Sequence, residues 1–348
     1  MQVGSASVER LRAVLRAYQI DSRITECVPL GGGHIHHTWS VTTADAGSYV
    51  VQELNGQVFR DLSACEDNLR RIDDLFHGGD QQREISIPKH LRTPTDGLHV
   101  VLPDGSAWRA TVLVERSIAP QDVATAADAT VVARAFASFA STLRSLRGSP
   151  LHETIPRFHD FRWRVDQLRE ACIADRAQRV DSVREELSNA DALADELLEP
   201  AQAIAANATH AVHNDAKVTN LLCDQATGAA RTVVDLDTTM PGSALVDLGE
   251  LVRSGASDRP EDARDLGDLE VRWPVVDALI DAFRDAYELS PAEVPLIRYA
   301  GPVLAAENGV RFLADHLNGD RYFRVDRPGQ NLDRARVQFR LAVELLRS

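Results

Sequence analysis

Lysine is nearly missing from this chain of 348 residues; Lys89 and Lys217 are the only two, so almost all of its positive charge is arginine. A Walker-type phosphate loop needs Gly-Lys followed by Ser or Thr. Lys89 follows Pro88 and Lys217 follows Ala216, so no such loop exists. No GxGxxG and no GxSxG occurs, which removes the dinucleotide-binding and α/β-hydrolase signatures. Cysteine is scarce, and Cys27, Cys65, Cys172 and Cys223 stand far apart with no CxxC. That excludes a zinc ribbon and a thioredoxin-like motif. A chain of this length buries a core without staples, so the four are read as reduced thiols in a cytoplasmic protein. Basic residues are outnumbered, 38 against 52 acidic ones, for a formal charge of −14. A general binder of nucleic acid or of anionic membranes needs the opposite sign. An anionic ligand would therefore need a local cation or a bound metal. No run of about 18 apolar residues is present, so no helix is expected to span a membrane. Met1–Gln19 contains arginine and lacks an apolar centre, so it is not read as a secretory signal.

What is there is a globular composition, 44% apolar and 26% charged, over a length that suits about two domains. Val8, Leu11, Val14 and Leu15 recur at helical spacing within 6–18. Strand-like segments follow around 24–30, 38–43 and 49–54, with Gly31-Gly32-Gly33 between the first two. Residues 61–77 repeat as a helix, and Pro103-Asp104-Gly105-Ser106 joins Leu98–Leu102 to Trp108–Val114 as a hairpin. Beyond residue 117 the pattern changes. Helical stretches are expected over 123–147, 160–186, 189–207, 245–254, 273–287, 291–317 and 331–347, interrupted by strand-like segments at 220–223 and 231–235. The expected architecture is α+β: a small β-rich lobe over 1–117 and a large helical lobe over 118–348, with a ligand site where they meet.

The chemistry concentrates in His213-Asn214-Asp215-Ala216-Lys217-Val218-Thr219-Asn220 and in Val233-Val234-Asp235-Leu236-Asp237. Phosphoryl transfer from ATP needs a carboxylate for the attacking hydroxyl, hard oxygen ligands for Mg²⁺, positive charge near the transferred group and a cover against water. Asp215 suits the first task, Asn220 and Asp235 the second, and Lys217 the third. Asp237 is a second metal ligand or a surface acid that hydrogen-bonds the loop. His213 is expected to brace the catalytic loop, and Asp247 to anchor the loop after the metal site. Gly31, Gly32 and Gly33 would let backbone amides approach phosphates as the cover; the alternatives are a plain hairpin or, with His34, His36 and His37, a zinc site.

The pattern H-x-D-x-K-x-x-N with a later strand Asp resembles the aminoglycoside phosphotransferase and choline kinase superfamily, which shares the bilobed protein-kinase fold. Further segments resemble its N-acetylhexosamine 1-kinase branch: Gly32-Gly33-His34-Ile35, Tyr49-Val50-Val51-Gln52, Leu151-His152-Glu153-Thr154-Ile155-Pro156, Val234 to Gly242, Arg311-Phe312-Leu313-Ala314-Asp315 with Gly319-Asp320-Arg321-Tyr322-Phe323, and Asn331 to Arg336. The resemblance runs from about residue 28 to 345. It implies an ATP- and Mg²⁺-dependent kinase of a small-molecule sugar, with the anomeric hydroxyl of N-acetylglucosamine or N-acetylgalactosamine as acceptor. It implies that Gly31–Gly33 and Gln52 bind the nucleotide and that His34, Arg311 and Tyr322 bind the sugar. No nucleic acid or membrane partner is expected, and the assembly is a monomer or homodimer.

One departure stands out. Most kinase-like enzymes place a lysine on the third strand against the phosphates, and this chain has Gln52 there, with Glu66 and Asp67 as candidate helix acids. Two other readings keep the sequence in view. An amino-sugar or aminoglycoside acceptor would want an acid-lined site, and the stretch Asp258–Glu270 offers acids. A pseudokinase would lack the strand lysine, although it would not need Asp215, Asn220 and Asp235 together.

Overall fold

The computed structural model describes residues 5–30, 36–78, 83–267 and 269–347. The chain divides into two compact units, the first made of Met1–Ile118, Leu146–Ile155 and Leu222–Thr238, the second of the remainder. The sequence reading places one boundary at 117/118. The structure differs by returning two later segments to the first unit, and one of them carries Asp235 and Asp237.

The first unit opens with helix α1 (Ser5–Ala17), then strands β1 (Ile24–Pro29), β2 (His37–Thr43) and β3 (Ser48–Glu53). Helix α2 (Leu62–His77) precedes β4 (His99–Val101) and β5 (Ala107–Val112). The five strands form one antiparallel sheet in the order β1-β2-β3-β5-β4. Leu11, Val14 and Leu15 of α1, with Tyr18 just beyond it, pack on Val41, Val51, Trp108 and Ala110, so the helical spacing seen in the sequence becomes the cover of one sheet face. The predicted hairpin turn forms, with Gly105 at φ +84° and Asp104 accepting the Ser106 N–H at 3.0 Å. Later in the chain, β6 (Ser117–Ile118), β8 (Leu221–Asp224) and β9 (Ala230–Val233) make a second, three-stranded sheet.

Asp73 shows what fixes α2. It is buried, its Oδ1 lies 3.2 Å from His90 Nδ1, and its Oδ2 accepts from Arg92 at 2.9 Å. Burial alone would push this carboxyl up, but the hydrogen bonds from His90 and Arg92 outweigh it and bring the group down to about 2. A carboxyl held below its unfolded value stabilises the fold above about pH 4 and loses that contribution as pH falls toward 2. Asp73→Asn is therefore expected to cost about 2 kcal/mol at pH 7. Urea midpoints of the two proteins should converge as the pH is lowered; a gap that stays constant would contradict the argument.

The second unit holds α3 (Ala126–Leu143), α4 (Phe161–Ala174), α5 (Arg184–Ala206), α6 (Ala244–Gly255), α7 (Trp273–Ala286), α8 (Ile297–Leu317) and α9 (Gln330–Leu346), with the short strands β7 (His210–Val212) and β10 (Met240–Gly242) paired antiparallel. The helix expected over 160–186 stops at Ala174. Asp175 turns left-handed at φ +36°, and its side chain accepts the N–H groups of Arg179 and Val180, which competes with the helical ladder. α6 meets α8 closely at Gly249, where any Cβ would lie 2.5 Å from the Ala300 carbonyl oxygen. Among the described residues no helix is long and apolar enough to cross a membrane. The four cysteines are free thiols.

Candidate active site

In the second unit, β7 delivers the chain into the loop His213–Asn220. Its entry is fixed by Asp247 on α6, fully buried, whose two oxygens accept the backbone N–H of His213 (2.9 Å) and of Asn214 (2.7 Å). The sequence expectation ties Asp247 to the loop after Asp235; the structure instead has it hold, from α6, the start of the loop His213–Asn220. Asn214 takes φ +61°, and its side-chain amide donates to the Met240 carbonyl at 3.2 Å, tying the loop to β10. Gly242 is what permits this, since a Cβ there would meet the Asn214 side chain at 2.7 Å and Val212 at 2.6 Å. His213 is buried edge-on against Phe136 and Phe139 of α3, and its Nδ1 accepts the Asp215 N–H at 3.2 Å. It braces the loop from inside.

The structure brings Asp215, Lys217 and Asn220 together. Lys217 Nζ donates to Asp215 Oδ2 at 2.8 Å, and Asn220 Nδ2 donates to the same oxygen at 3.0 Å and to the Asp215 carbonyl at 2.9 Å. Asp215 Oδ1 accepts nothing among the described residues. Burial opposes ionisation of this carboxyl, but the Lys217 ammonium beside it, helped by His213, holds it below the ordinary carboxylate range. Asp215 is thus an ionised, oriented acceptor with one oxygen to spare. Asn220 spends its amide nitrogen on Asp215, which leaves its carbonyl oxygen as a hard donor of the kind a divalent cation takes.

A second line of contacts reaches the loop from its other side. His159 Nε2 lies 2.8 Å from the Asn214 carbonyl, and its Nδ1 lies 3.1 Å from Glu307 Oε1 on α8. Burial lowers the His159 proton affinity, yet Glu307 more than restores it, so the ring is shifted upward and donates to both. Glu307 is buried, and its other oxygen, Oε2, has no hydrogen-bond partner among the described residues. Arg311 lies one turn further along α8, with its guanidinium 5.1 Å from the Phe158 ring centre and 5.5 Å from that of Phe323. Tyr322, 52% exposed, stands edge-on to Phe323. Asp315 holds their loop by accepting the N–H groups of Arg321, Tyr322 and Phe323 at 2.9–3.0 Å. Arg311 and Tyr322 therefore share one cluster. Arg164 joins it by donating to the Phe158 carbonyl at 2.9 Å. Burial, then the nearby Arg311 charge, lowers Arg164 to about 10. Sequence reasoning missed His159, Arg164 and Glu307; no local motif marks them.

In the first unit, Asp235 follows β9, is exposed, and adopts φ +63°. Left-handed backbone at a non-glycine residue is a strained setting that surrounding contacts must impose. Asp237 lies in the next turn and is buried. Its two oxygens accept a fork from Arg109 of β5, and Oδ2 also lies 3.2 Å from His36 Nε2. Burial would raise this carboxyl, but the Arg109 charge drives it far below the usual range. Both oxygens are engaged by Arg109 and His36 and the side chain is buried, so Asp237 is not the surface acid of the second reading. Gln52 on β3 accepts from Arg109 Nε at 2.8 Å and donates to Thr38 Oγ1 at 3.2 Å. Glu66 accepts the Leu98 N–H and pairs with His99, while Asp67 lies 3.2 Å from His152. His37 leans on Glu53. Gly31, Gly32, Gly33 and His34 lie outside the described residues.

Residues 26–292 match the model of the phosphotransferase enzyme family. Among solved structures the chain is similar to an aminoglycoside phosphotransferase from Alicyclobacillus acidocaldarius subsp. acidocaldarius, at 15% identity and a TM-score of 0.61, over 97% of this chain and 92% of that one. It is similar to a spectinomycin phosphotransferase in complex with ADP and spectinomycin (13%, 0.61, 99% of each chain). It is also similar to the microcompartment-associated aminopropanol kinase (16%, 0.64, 99% and 98%). At these identities the structures speak for the fold, the kinase-like α+β arrangement of a β-sheet N-terminal region and a helical C-terminal region. With more than half its length matched, the chain belongs to the phosphotransferase enzyme family, and its reaction is ATP-dependent phosphoryl transfer to a hydroxyl group.

Proposed function

We propose that this phosphotransferase is a sugar kinase that uses Mg²⁺–ATP to phosphorylate the anomeric hydroxyl of an N-acetylhexosamine. The observation that carries this reading is the cluster of Arg311, over the Phe158 ring, and Arg164, on the Phe158 carbonyl, with Arg311 linked through Glu307 and His159 to the Asn214 carbonyl beside Asp215. Guanidinium forks suit an acyl oxygen and ring hydroxyls, the flat faces of Tyr322 and Phe323 suit a sugar ring, and the unpartnered Glu307 Oε2 suits a hydroxyl donor. Two neighbouring guanidiniums repel a third cation, which disfavours a polycationic aminoglycoside. Two of the acids that reading would use are paired with arginines: Glu261 with Arg253, and Asp262 with Arg327.

In the proposed reaction Asp215 orients the acceptor hydroxyl through its spare oxygen and takes its proton. The anomeric hydroxyl is the most acidic of the sugar, so a carboxylate suffices as base. Lys217 holds Asp215 in place and adds positive charge beside the transferring group. Asn220 and Asp235 would hold the divalent cation, whose role when bound is to neutralise phosphate charge. Gly31–Gly33 and Gln52 are assigned to the nucleotide and His34 to the sugar. Most of the acceleration comes from positioning and charge stabilisation.

The test is ADP release with Mg²⁺–ATP against N-acetylglucosamine, N-acetylgalactosamine, glucosamine, glucose and kanamycin, with the reducing end followed on any sugar that reacts. Turnover of an N-acetylhexosamine with loss of its reducing end is the expected result. Turnover with the reducing end intact would move the phosphate to another hydroxyl. Preference for kanamycin would overturn the acceptor assignment.

A further inference from the structure

Gln52 occupies the strand position where kinase-like enzymes usually carry lysine, and neither helix acid turns toward it. Glu66 is engaged by Leu98 and His99, and Asp67 by His152. A different cation stands beside Gln52. Arg109 is its ladder partner on β5, its Nε donates to Gln52 Oε1 at 2.8 Å, and its two terminal nitrogens fork onto Asp237. The pair is almost fully enclosed, Arg109 and Asp237 each being 5% exposed. Both side chains help line a cavity whose other walls include Phe59, Leu62, Cys65 and Leu69.

The turn that carries Asp237 is held at two further points. Thr154 Oγ1 donates to the Asp237 carbonyl at 2.7 Å. His36 links the Asp237 carboxylate to the Asn55 N–H, which donates to His36 Nδ1 at 3.1 Å, and the ring stacks on Phe59. The residue this clamp leaves outside is Asp235, two positions earlier, exposed and left-handed. A fork of two parallel hydrogen bonds fixes orientation as well as distance, which a single ammonium does not.

We infer that Arg109 is a positioning residue for the metal site: its fork onto Asp237 sets the turn so that Asp235 is presented to the divalent cation, in place of the strand-lysine to helix-acid pair. This rests on Asp235 being a metal ligand. Arg109 acts through the turn and does not itself touch the nucleotide. The acids of α2 serve β4 and the segment around 152 instead.

The measurement is ADP binding by fluorescence titration with and without Mg²⁺, with melting temperatures taken in parallel. The variants are Arg109→Lys, Asp237→Asn, their combination, Thr154→Val and Asp235→Ala. Arg109→Lys keeps the charge and loses the fork. It is expected to raise the Mg²⁺ concentration for half-maximal binding about 10-fold and to change metal-free affinity less than 2-fold. Asp237→Asn should do the same, and the double variant should be no worse than either single one. Thr154→Val should shift the Mg²⁺ requirement in the same direction by less, which keeps the inference testable if the pair variants fail to fold. Equal weakening of binding with and without Mg²⁺ would make Arg109 a direct phosphate contact and overturn the inference. So would an unchanged Mg²⁺ requirement in folded variants. If Asp235→Ala abolishes the Mg²⁺ effect while Arg109→Lys leaves it intact, the inference fails alone. If Asp235→Ala changes nothing, the assignment of the metal ligand fails, and the inference with it.

Discussion

Asp215→Asn is expected to lower turnover by about 10²- to 10⁴-fold, the range that loss of a well-placed base produces. The neutral amide has nearly the shape of the carboxylate, so the loop keeps its packing, and one oxygen can still accept from Lys217 or Asn220. What disappears is the capacity to take a proton and the negative charge that Lys217 neutralises. Because Asp215 sits outside the buried braces made by His213 and Asp247, the melting temperature should move by only a few degrees. Nucleotide affinity should also persist. ADP release under saturating substrate, with thermal unfolding in parallel, separates the two effects. Near-normal turnover in a folded variant would remove Asp215 from its role. The wild-type carboxyl is held below its ordinary range, so the acid limb of the rate profile should lie lower than that of an unperturbed carboxylate.

The loop that carries Asp215 was legible because its chemistry is local. Asp215, Lys217 and Asn220 fall within six residues, and a short loop brings them together whatever surrounds it. Helices α1 and α2 were legible for a similar reason, since a 3.6-residue period states both the element and its buried face. The misses share the opposite property. Arg109 sits in a strand whose residues are mostly buried on both faces, and its acid lies 128 residues later. Glu307 and His159 meet across 148 residues. Nothing near either position states that a partner exists. β7 and β10 are three residues each, too short to show a period of two. α4 ends at Asp175 because a side chain outcompetes the backbone, a choice made by one residue rather than by a pattern. Asp237 is legible as an acid near the site, but neither of its readings foresees a fork from Arg109.

Asp247→Ala separates stability from function in an unusual way. The carboxyl is fully enclosed, and burial pushes its pKa up to about 6, even though the His213 and Asn214 N–H groups and nearby His213 favour the ionised form. A group raised by about 2 units carries a net cost of about 3 kcal/mol when ionised. Its contribution is greatest below about pH 4, falls between pH 4 and 6, and stays low above. Alanine removes that cost but orphans two buried N–H donors, at about 1–3 kcal/mol each. The two largely offset, so the expected loss of stability at pH 7 is only about 1 kcal/mol. Catalysis has no such compensation. Both N–H groups belong to the residues that immediately precede Asp215, and releasing them lets the base drift by the fraction of an ångström that matters for transfer. Turnover should fall by about 10²- to 10³-fold. Asp247→Asn, which keeps one acceptor oxygen, should fall between. Unfolding at pH 4 and at pH 7 supplies the signature: the stability gap between wild type and the alanine variant should be wider at pH 4, by about 3 kcal/mol. A gap independent of pH would show that Asp247 is not the buried acid inferred here. Wild-type turnover in the folded alanine variant would show that the loop holds its geometry without it.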